Sequence, residues 1–340
     1  MTSKTKKLLR IVFFALIGVI VLFLVFRNID WNKFLQGVSE AKLSWILLAM
    51  VVGALGHWIR AARWTIMLRS IGYNSAKTYP GFLSVLAGYF INLAIPRAGE
   101  ISRCALMGDV CKIPVQKLIG TVVTERIIDL LMTAFIVALV LWLQFELLYG
   151  FTNNNIFIPL SDKFKAFYEF SLFYPIIIGV AFIGFVLYAL FKKKQKANNQ
   201  KENKIFRFIT GILDGVKSVF QLNQPILFTL QTFGIWLTYL GSTICILQAF
   251  SFTEAEGIST GLSVLLFSTI GVIVPAPGGI GSIWTTQNGL IEIYGYSLEH
   301  ATLFASLLFF TQVIGFIILG TFALVHLSIL KSKSDAQPQS

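Results

Sequence analysis

The residues of this 340-residue chain that could do chemistry are arginines and carboxylates set inside apolar stretches. The run Arg97-Ala98-Gly99-Glu100-Ile101-Ser102-Arg103 repeats charge at i, i+3 and i+6, which places Arg97, Glu100 and Arg103 near one helical face. Glu125 and Asp129 share a face at i, i+4 with Arg126 beside them, and Arg60 and Arg63 lie one turn apart before Trp64. A charge at the centre of a bilayer costs roughly 2.5–3.5 kcal/mol, so such groups pair with one another or face a cavity. The pattern predicts a network of Arg97, Arg103 and Arg126 with Glu100, Glu125 and Asp129, whose surplus arginine suits a phosphate group bound bidentately. Two readings stay open for Arg60 and Arg63: membership of such a network, or, with Arg69, snorkelling to the cytoplasmic face. Glu125 and Asp129 could instead hold one divalent cation, although the adjacent Arg126 argues for ion pairing.

The elements that must position these groups are membrane helices. Apolar residues make up 56% of the chain and charged residues 13%, and the mean hydropathy is +0.75. That composition excludes a soluble domain and implies a polytopic membrane protein. Three cysteines (Cys104, Cys111, Cys245) match neither a disulfide framework nor a zinc pattern. The net charge of +12 is gathered in particular loops, which reads as orientation and contact with anionic lipid. Apolar runs at about 8–27, 44–68, 117–145, 171–191, 226–250 and 300–330 are each long enough for the roughly 20 residues a span requires. The first follows Lys4, Lys6, Lys7 and Arg10 without a nearby small-residue cleavage site, so it reads as a retained signal anchor.

Two further stretches, about 79–112 and 258–296, are apolar but broken by Pro and Gly. They share a pattern. Leu83-Ser84-Val85-Leu86 precedes Pro96 and Gly99 at the same spacing as Leu262-Ser263-Val264-Leu265 precedes Pro275 and Gly278, and Ile91 and Ile101 correspond to Ile270 and Ile280. Residues 81–95 as a helix would reach only ~23 Å, short of the ~30 Å core. Charge parity says how these stretches run. The segment 192–217 carries eight basic residues against Glu202 and Asp214, the strongest cytoplasmic signal in the chain. With the N-terminus also inside, the first broken stretch must enter and leave by the cytoplasmic face. The second, following a loop at 251–257 without Lys or Arg, must open from the outside. The expectation is an all-α polytopic protein of about six full transmembrane helices and two oppositely directed re-entrant hairpins, an inverted repeat. It comprises repeat one at about 8–191, a basic loop at 192–224, repeat two at about 225–330 and a disordered tail at 331–340, all in one integral membrane domain with cytoplasmic termini.

At the hairpin tips, Pro96-x-x-Gly99 and Pro275-Ala276-Pro277-Gly278-Gly279-Ile280-Gly281 free backbone groups that a helix would satisfy. Together with the N-termini of the following half-helices they could receive an anionic substrate group; two packed kinks are the plainer alternative. Other chemistries find no support. There is no His-Glu-x-x-His zinc motif and no Walker or dinucleotide fingerprint. Gly261-Leu262-Ser263 is followed by Val264, unlike an intramembrane serine nucleophile, and His57, His300 and His326 have no matching partners. The basic loop has only Phe206 and Phe208 as aromatics, which makes nucleic acid an unsuitable partner.

The motifs Arg60-Ala61-Ala62-Arg63-Trp64, Asn92-Leu93-Ala94-Ile95-Pro96-Arg97-Ala98-Gly99-Glu100 with Arg103, Glu125-Arg126-Ile127-Ile128-Asp129 and Pro275-Ala276-Pro277-Gly278-Gly279-Ile280-Gly281 occur in that order. In this the chain resembles the lysylphosphatidylglycerol synthase transmembrane region, or flippase-like domain, family over roughly residues 10–330. The resemblance implies a multi-pass protein of the inner membrane that moves a lipid or lipid-linked compound between leaflets. In two-domain members a soluble aminoacyltransferase follows; this chain ends ten residues after Leu330, so the synthase activity does not carry over. One departure is Trp284, at a position where members often carry glutamate, with Gln287 as the nearest polar side chain. It sets the lysyl lipid aside as an assumed substrate.

The expectation is therefore a lipid flippase or transporter without enzymatic activity or cofactor. Arg97 and Arg103 bind the phosphate of a membrane lipid, and Asn92, Gly99, Gly278, Gly279 and Gly281 shape the tips. Glu100, Glu125 and Asp129, with Arg126, Arg60 and Arg63, supply ion pairs or coupling. The alternatives are an intramembrane lipid-modifying enzyme using Glu125 and Asp129 with a metal, and a scaffold for a separate lipid-modifying enzyme.

Overall fold

The computed structural model describes residue 35 and residues 38–145, 221–273 and 279–336. The chain divides into two compact units, one of Met1–Val140 with Gly211–Ser340 and one of Leu141–Thr210, and the elements below belong to the first except for the end of α4. They are α1 (Leu43–Ser70), α2 (Thr78–Ala94), α3 (Ala98–Cys111), α4 (Val115–Leu143), α5 (Pro225–Leu247), α6 (Ile258–Ile273), α7 (Gly281–Glu292) and α8 (Leu298–Ala336). Four of these are long and apolar enough to cross a membrane: α1, α4, α5 and α8 through Ser332. They coincide with the expected runs at 44–68, 117–145, 226–250 and 300–330; those at 8–27 and 171–191 lie outside the described residues, as does the basic stretch through 220. The chain is an all-α polytopic membrane protein.

Helix α8 continues past Lys331 to Ala336, so six residues of the tail expected to be disordered are helical. Lys331 reaches Asp109 near the end of α3, and no proline intervenes before Pro338.

The two broken stretches fold as helical hairpins. In the first, α2 stops because Pro96 cannot continue it, and Ile95 before that proline is extended (φ −128°, ψ 106°). Arg97 then takes a left-handed conformation (φ 65°) and α3 begins. The Asn92 side-chain oxygen accepts the Gly99 backbone N–H at 2.7 Å, satisfying one of the donors that a helix start leaves free. Glycine is needed here for proximity. A Cβ on Gly99 would lie 1.9 Å from the Gly88 carbonyl oxygen, and one on Gly281 2.5 Å from the Gly271 carbonyl oxygen in the second hairpin. Gly271 and Gly281 stand 183 and 182 residues after Gly88 and Gly99, against 179 between Pro96 and Pro275. The longer break of the second hairpin thus shifts its contact along the helices. The repeated segments are buried alike, with Ser84 and Ser263 both at 0% exposure.

The hairpins open toward opposite ends of the bundle. Helices α1 and α5 run antiparallel, joined by the Lys42 N–H to the Ala249 carbonyl (2.8 Å) at one end and the Asn223 N–H to Ser70 Oγ (3.4 Å) at the other. Ser75 Oγ, just beyond Ser70, donates to the Cys111 carbonyl, so α2 starts and α3 finishes at the Ser70 end. Tyr296, beyond α7, donates to Glu256 at 2.6 Å, just before α6, so the second hairpin starts and finishes at the Ala249 end. The tips converge: Leu93 near the first and Ile283 near the second pack in one apolar cluster around Phe309, Phe310 and Val313 of α8.

Candidate functional site

A cluster of charge lies among α1, α3 and α4. Lipid tails are as apolar as leucine, so packing in a membrane relies on close contact and polar pairing, and here the pairing is ionic. Glu125 is fully buried and receives Arg60, Arg63 (3.5 Å) and Arg103 (2.8 Å). Asp129, one turn further along α4, receives Arg60 at 2.9 Å, Arg63 at 3.1 Å and Arg126 at 3.5 Å. Arg126 also pairs with Glu100 at 2.7 Å, and this pair is about two-fifths exposed. Around the arginines stand Thr232, accepting from Arg63 at 3.2 Å, and Tyr239, accepting from Arg60 Nε at 3.2 Å. The Arg103 guanidinium lies 5.0 Å from the centre of the Trp64 ring, whose N–H bonds Thr121 at 2.8 Å.

Depth and charge balance set this cluster apart. Arg60 precedes the end of α1 by ten residues and Glu125 follows the start of α4 by ten, which is ~15 Å along each axis. With helices of 28 and 29 residues, that is about a third of the way along each. Arg60 and Arg63 are 3% and 0% exposed. Snorkelling of these two residues to an interface is thereby replaced by ion pairing, because the carboxylates that stabilise them sit at their own level. Among the described residues four arginines meet three carboxylates, leaving one positive charge in excess. Two buried donors, Nε of Arg63 and Nε of Arg103, have no hydrogen-bond partner among the described residues. An arrangement short of acceptors and in excess of positive charge is matched by an anion. The carboxylate oxygens of Glu125 and Asp129 are paired with guanidinium groups, the arrangement expected of their ion-pair use.

The sequence-predicted residues distribute unevenly. Arg103, Arg126, Glu100, Glu125 and Asp129 come together as expected, and Arg60 and Arg63 join them. Arg97 is exposed at the tip of the first hairpin, nearly two turns from Arg103. Asn92 and Gly99 are spent on closing that tip against itself. Gly279 has a positive φ of 77° and Gly281 makes the tip contact described above, while Gly278 lies outside the described residues. Trp284 is 67% exposed, and Gln287 donates to Thr302 at 2.8 Å. Thr232 and Tyr239 come from α5, more than 160 residues away, and no local signal marks them. The matching i, i+3 spacing of Arg60 with Arg63 and i, i+4 spacing of Glu125 with Asp129 was a signal for pairing α1 with α4. His57 is packed rather than displayed, with ring centres of Tyr89 and Phe316 at 4.7 and 5.3 Å.

Comparison with known proteins agrees with this architecture. Residues 8–320 match the family described as the lysylphosphatidylglycerol synthase TM region. A UPF0104 membrane protein of Methanocaldococcus jannaschii is 31% identical over 108 residues, covering 31% of this chain and 32% of that relative. The chain thus aligns with about a third of the curated relative's length. No solved structure matches it. Spanning helices, ordered motifs and a match over nearly the whole length lead to one conclusion: the chain belongs to the lysylphosphatidylglycerol synthase TM region family of membrane proteins.

Proposed function

We propose that this protein moves a phospholipid or lipid-linked compound with an anionic phosphate headgroup between the leaflets of the cytoplasmic membrane. The observation that carries the reading is the arginine excess in a buried cluster between apolar helices, with its two orphan buried donors. A phosphate crossing the hydrocarbon core needs compensation there, and a resting structural cluster would need none in surplus. Arg103 and Arg97 serve as phosphate ligands, Arg97 at the tip and Arg103 inside. Glu100, Glu125 and Asp129 hold the arginines apart and neutralise them when the site is empty, or couple transport to protons or ions. The hairpins, opening toward opposite ends and meeting at α8, supply a route of alternating access without a continuous pore. In this orientation the Ser70 end and both termini face the cytoplasm. No cofactor and no covalent step enter.

Reconstitution tests it. Fluorescent anionic, zwitterionic and aminoacylated phospholipids are compared in proteoliposomes of wild type and of Arg97→Ala. Headgroup-selective movement that the variant loses is the expected result. No protein-dependent movement of any lipid, with or without an ion gradient, would overturn transport and leave a scaffold for a separate lipid-modifying enzyme.

A further inference from the structure

Between α3 and α4 runs a groove of ≈ 340 Å³ whose walls include Ile101, Val123, Ile127 and Leu130. Both walls expose apolar side chains outward: Ile101 is 64% exposed, Ile127 50% and Leu130 65%. On a membrane-spanning helix such surface meets acyl chains. The groove also contains Glu100 and Arg126, the half-exposed ion pair. Behind that pair the chain is fully buried: Glu125, next to Arg126, is 0% exposed, and Arg103, one turn from Glu100, is 4% exposed. A single ion pair therefore stands between an apolar surface groove and the positively charged cluster.

We infer that this groove is a lateral port for a glycerophospholipid of net negative charge, in which an acyl chain lies along the apolar walls and the phosphodiester, uncompensated by a headgroup cation, replaces Glu100 on Arg126. The inference rests on the transport reading above and adds where the lipid enters. Charge complementarity favours this occupant. Arg126 already holds one Glu100 oxygen at 2.7 Å on one guanidinium nitrogen and one Asp129 oxygen at 3.5 Å on the other, so its fork is presented to oxyanions, and the cluster it adjoins has one positive charge to spare. Depth separates this lipid from the ordinary annular kind. Arg126 lies eleven residues into the 29-residue α4, so its Cα is ~16 Å along the axis from the helix start. A resident lipid keeps its phosphate at the interface; a lipid in transit has its phosphate where Arg126 is. Glu100 then acts as the competitor that keeps the port closed until a phosphate displaces it.

The test places photoreactive benzoylphenylalanine at position 123 of the full chain, in vesicles of phosphatidylcholine containing a minor fraction of phosphatidylglycerol. Adducts should be enriched in phosphatidylglycerol about tenfold over the bilayer, the ratio that 1.4 kcal/mol of preference produces. The same probe replacing Leu230, on an exposed face of α5, should report the bulk composition. Arg126→Gln should abolish the enrichment. Glu100→Gln should raise it, because the competitor has lost its charge; a purely structural ion pair would make both changes act in the same direction. Bulk composition at position 123, or enrichment that survives Arg126→Gln, overturns the port. The two readings fail separately: movement of lipid without enrichment leaves transport standing and removes the port, and enrichment without movement does the reverse.

Discussion

Removing Glu125 is the perturbation for which the structure gives the clearest magnitude. Its carboxylate is fully buried and is shared by Arg60, Arg63 and Arg103. In wild type those three arginines face Glu125 and Asp129; in Glu125→Gln they face Asp129 alone, and the buried excess rises from one positive charge to two. Two independent scales give the size of this effect. Stranding a buried ion by deleting its partner costs about 3–5 kcal/mol, and one uncompensated charge at bilayer centre costs roughly 2.5–3.5 kcal/mol. They overlap near 3 kcal/mol, which is the expected loss. Glu254→Gln is the control: its pair with Lys42 is about half exposed on both sides, and such pairs contribute at most about 1 kcal/mol. Reversible unfolding in mixed detergent micelles, followed by tryptophan fluorescence, measures both. Adding Arg103→Gln to Glu125→Gln should recover part of the loss, because it removes one of the stranded charges. A loss below about 1 kcal/mol for Glu125→Gln, equal to the surface control, would mean that water solvates the cluster, and the reasoning from a dry ion-pair core would be refuted.

The remaining predictions concern the hairpins and their connections. Gly99→Ala should prevent the first hairpin from closing, since its Cβ would stand 1.9 Å from the Gly88 carbonyl and 2.7 Å from Asn92 Oδ1; Gly72→Ala, strained in φ (94°) but in open space, should cost only about 1 kcal/mol. Folded yield in detergent distinguishes them. Asn92→Ala loses the acceptor for the Gly99 N–H and should destabilise by about 1 kcal/mol, whereas Asn92→Asp keeps an acceptor at the head of α3 and should be nearly neutral by the same unfolding assay. Burial and the neighbouring Glu256 carboxylate push the Tyr296 phenol above its ordinary range. The folded form therefore holds this proton more tightly, so its contribution is complete below the ordinary value of about 10 and is lost as pH rises beyond it. Tyr296→Phe should remove that alkaline component from a stability–pH profile while leaving the neutral-pH shape unchanged.

How the chain could be read depended on where each signal was stored. The opposite directions of the hairpins came from counting lysines and arginines between apolar runs, because orientation in a membrane is set by loop charge. The ends joined by Ser75 with Cys111 and by Glu256 with Tyr296 have that arrangement. Positions within a helix are legible by spacing, which is why Glu100 groups with Arg103 on one helix and Glu125 with Asp129 on another. The fate of Arg60 and Arg63 was not legible, since the same long, flexible stem that allows snorkelling also allows a buried pair; only the level of Glu125 on a separate helix decides between them. Gly88 carries no local signal because its role is an approach between segments, visible only when Gly99 lies against it. Periodicity alone groups Arg97 with Arg103, but Pro96 ends the helix there and the left-handed Arg97 precedes a new one, so the tip has a geometry that helical spacing does not describe.

The most direct measurement is the initial rate at which a fluorescent phosphatidylglycerol crosses the bilayer in proteoliposomes of wild type, Arg103→Gln and Lys331→Gln. Arg103→Gln leaves Glu125 paired with Arg60 and Arg63, so the fold is retained while the excess positive charge is removed. Lys331 pairs with Asp109 on the surface and serves as the control for loss of a cation outside the core. A buried phosphate site at this cluster predicts movement in wild type and Lys331→Gln and its loss in Arg103→Gln. Equal rates in all three would contradict it.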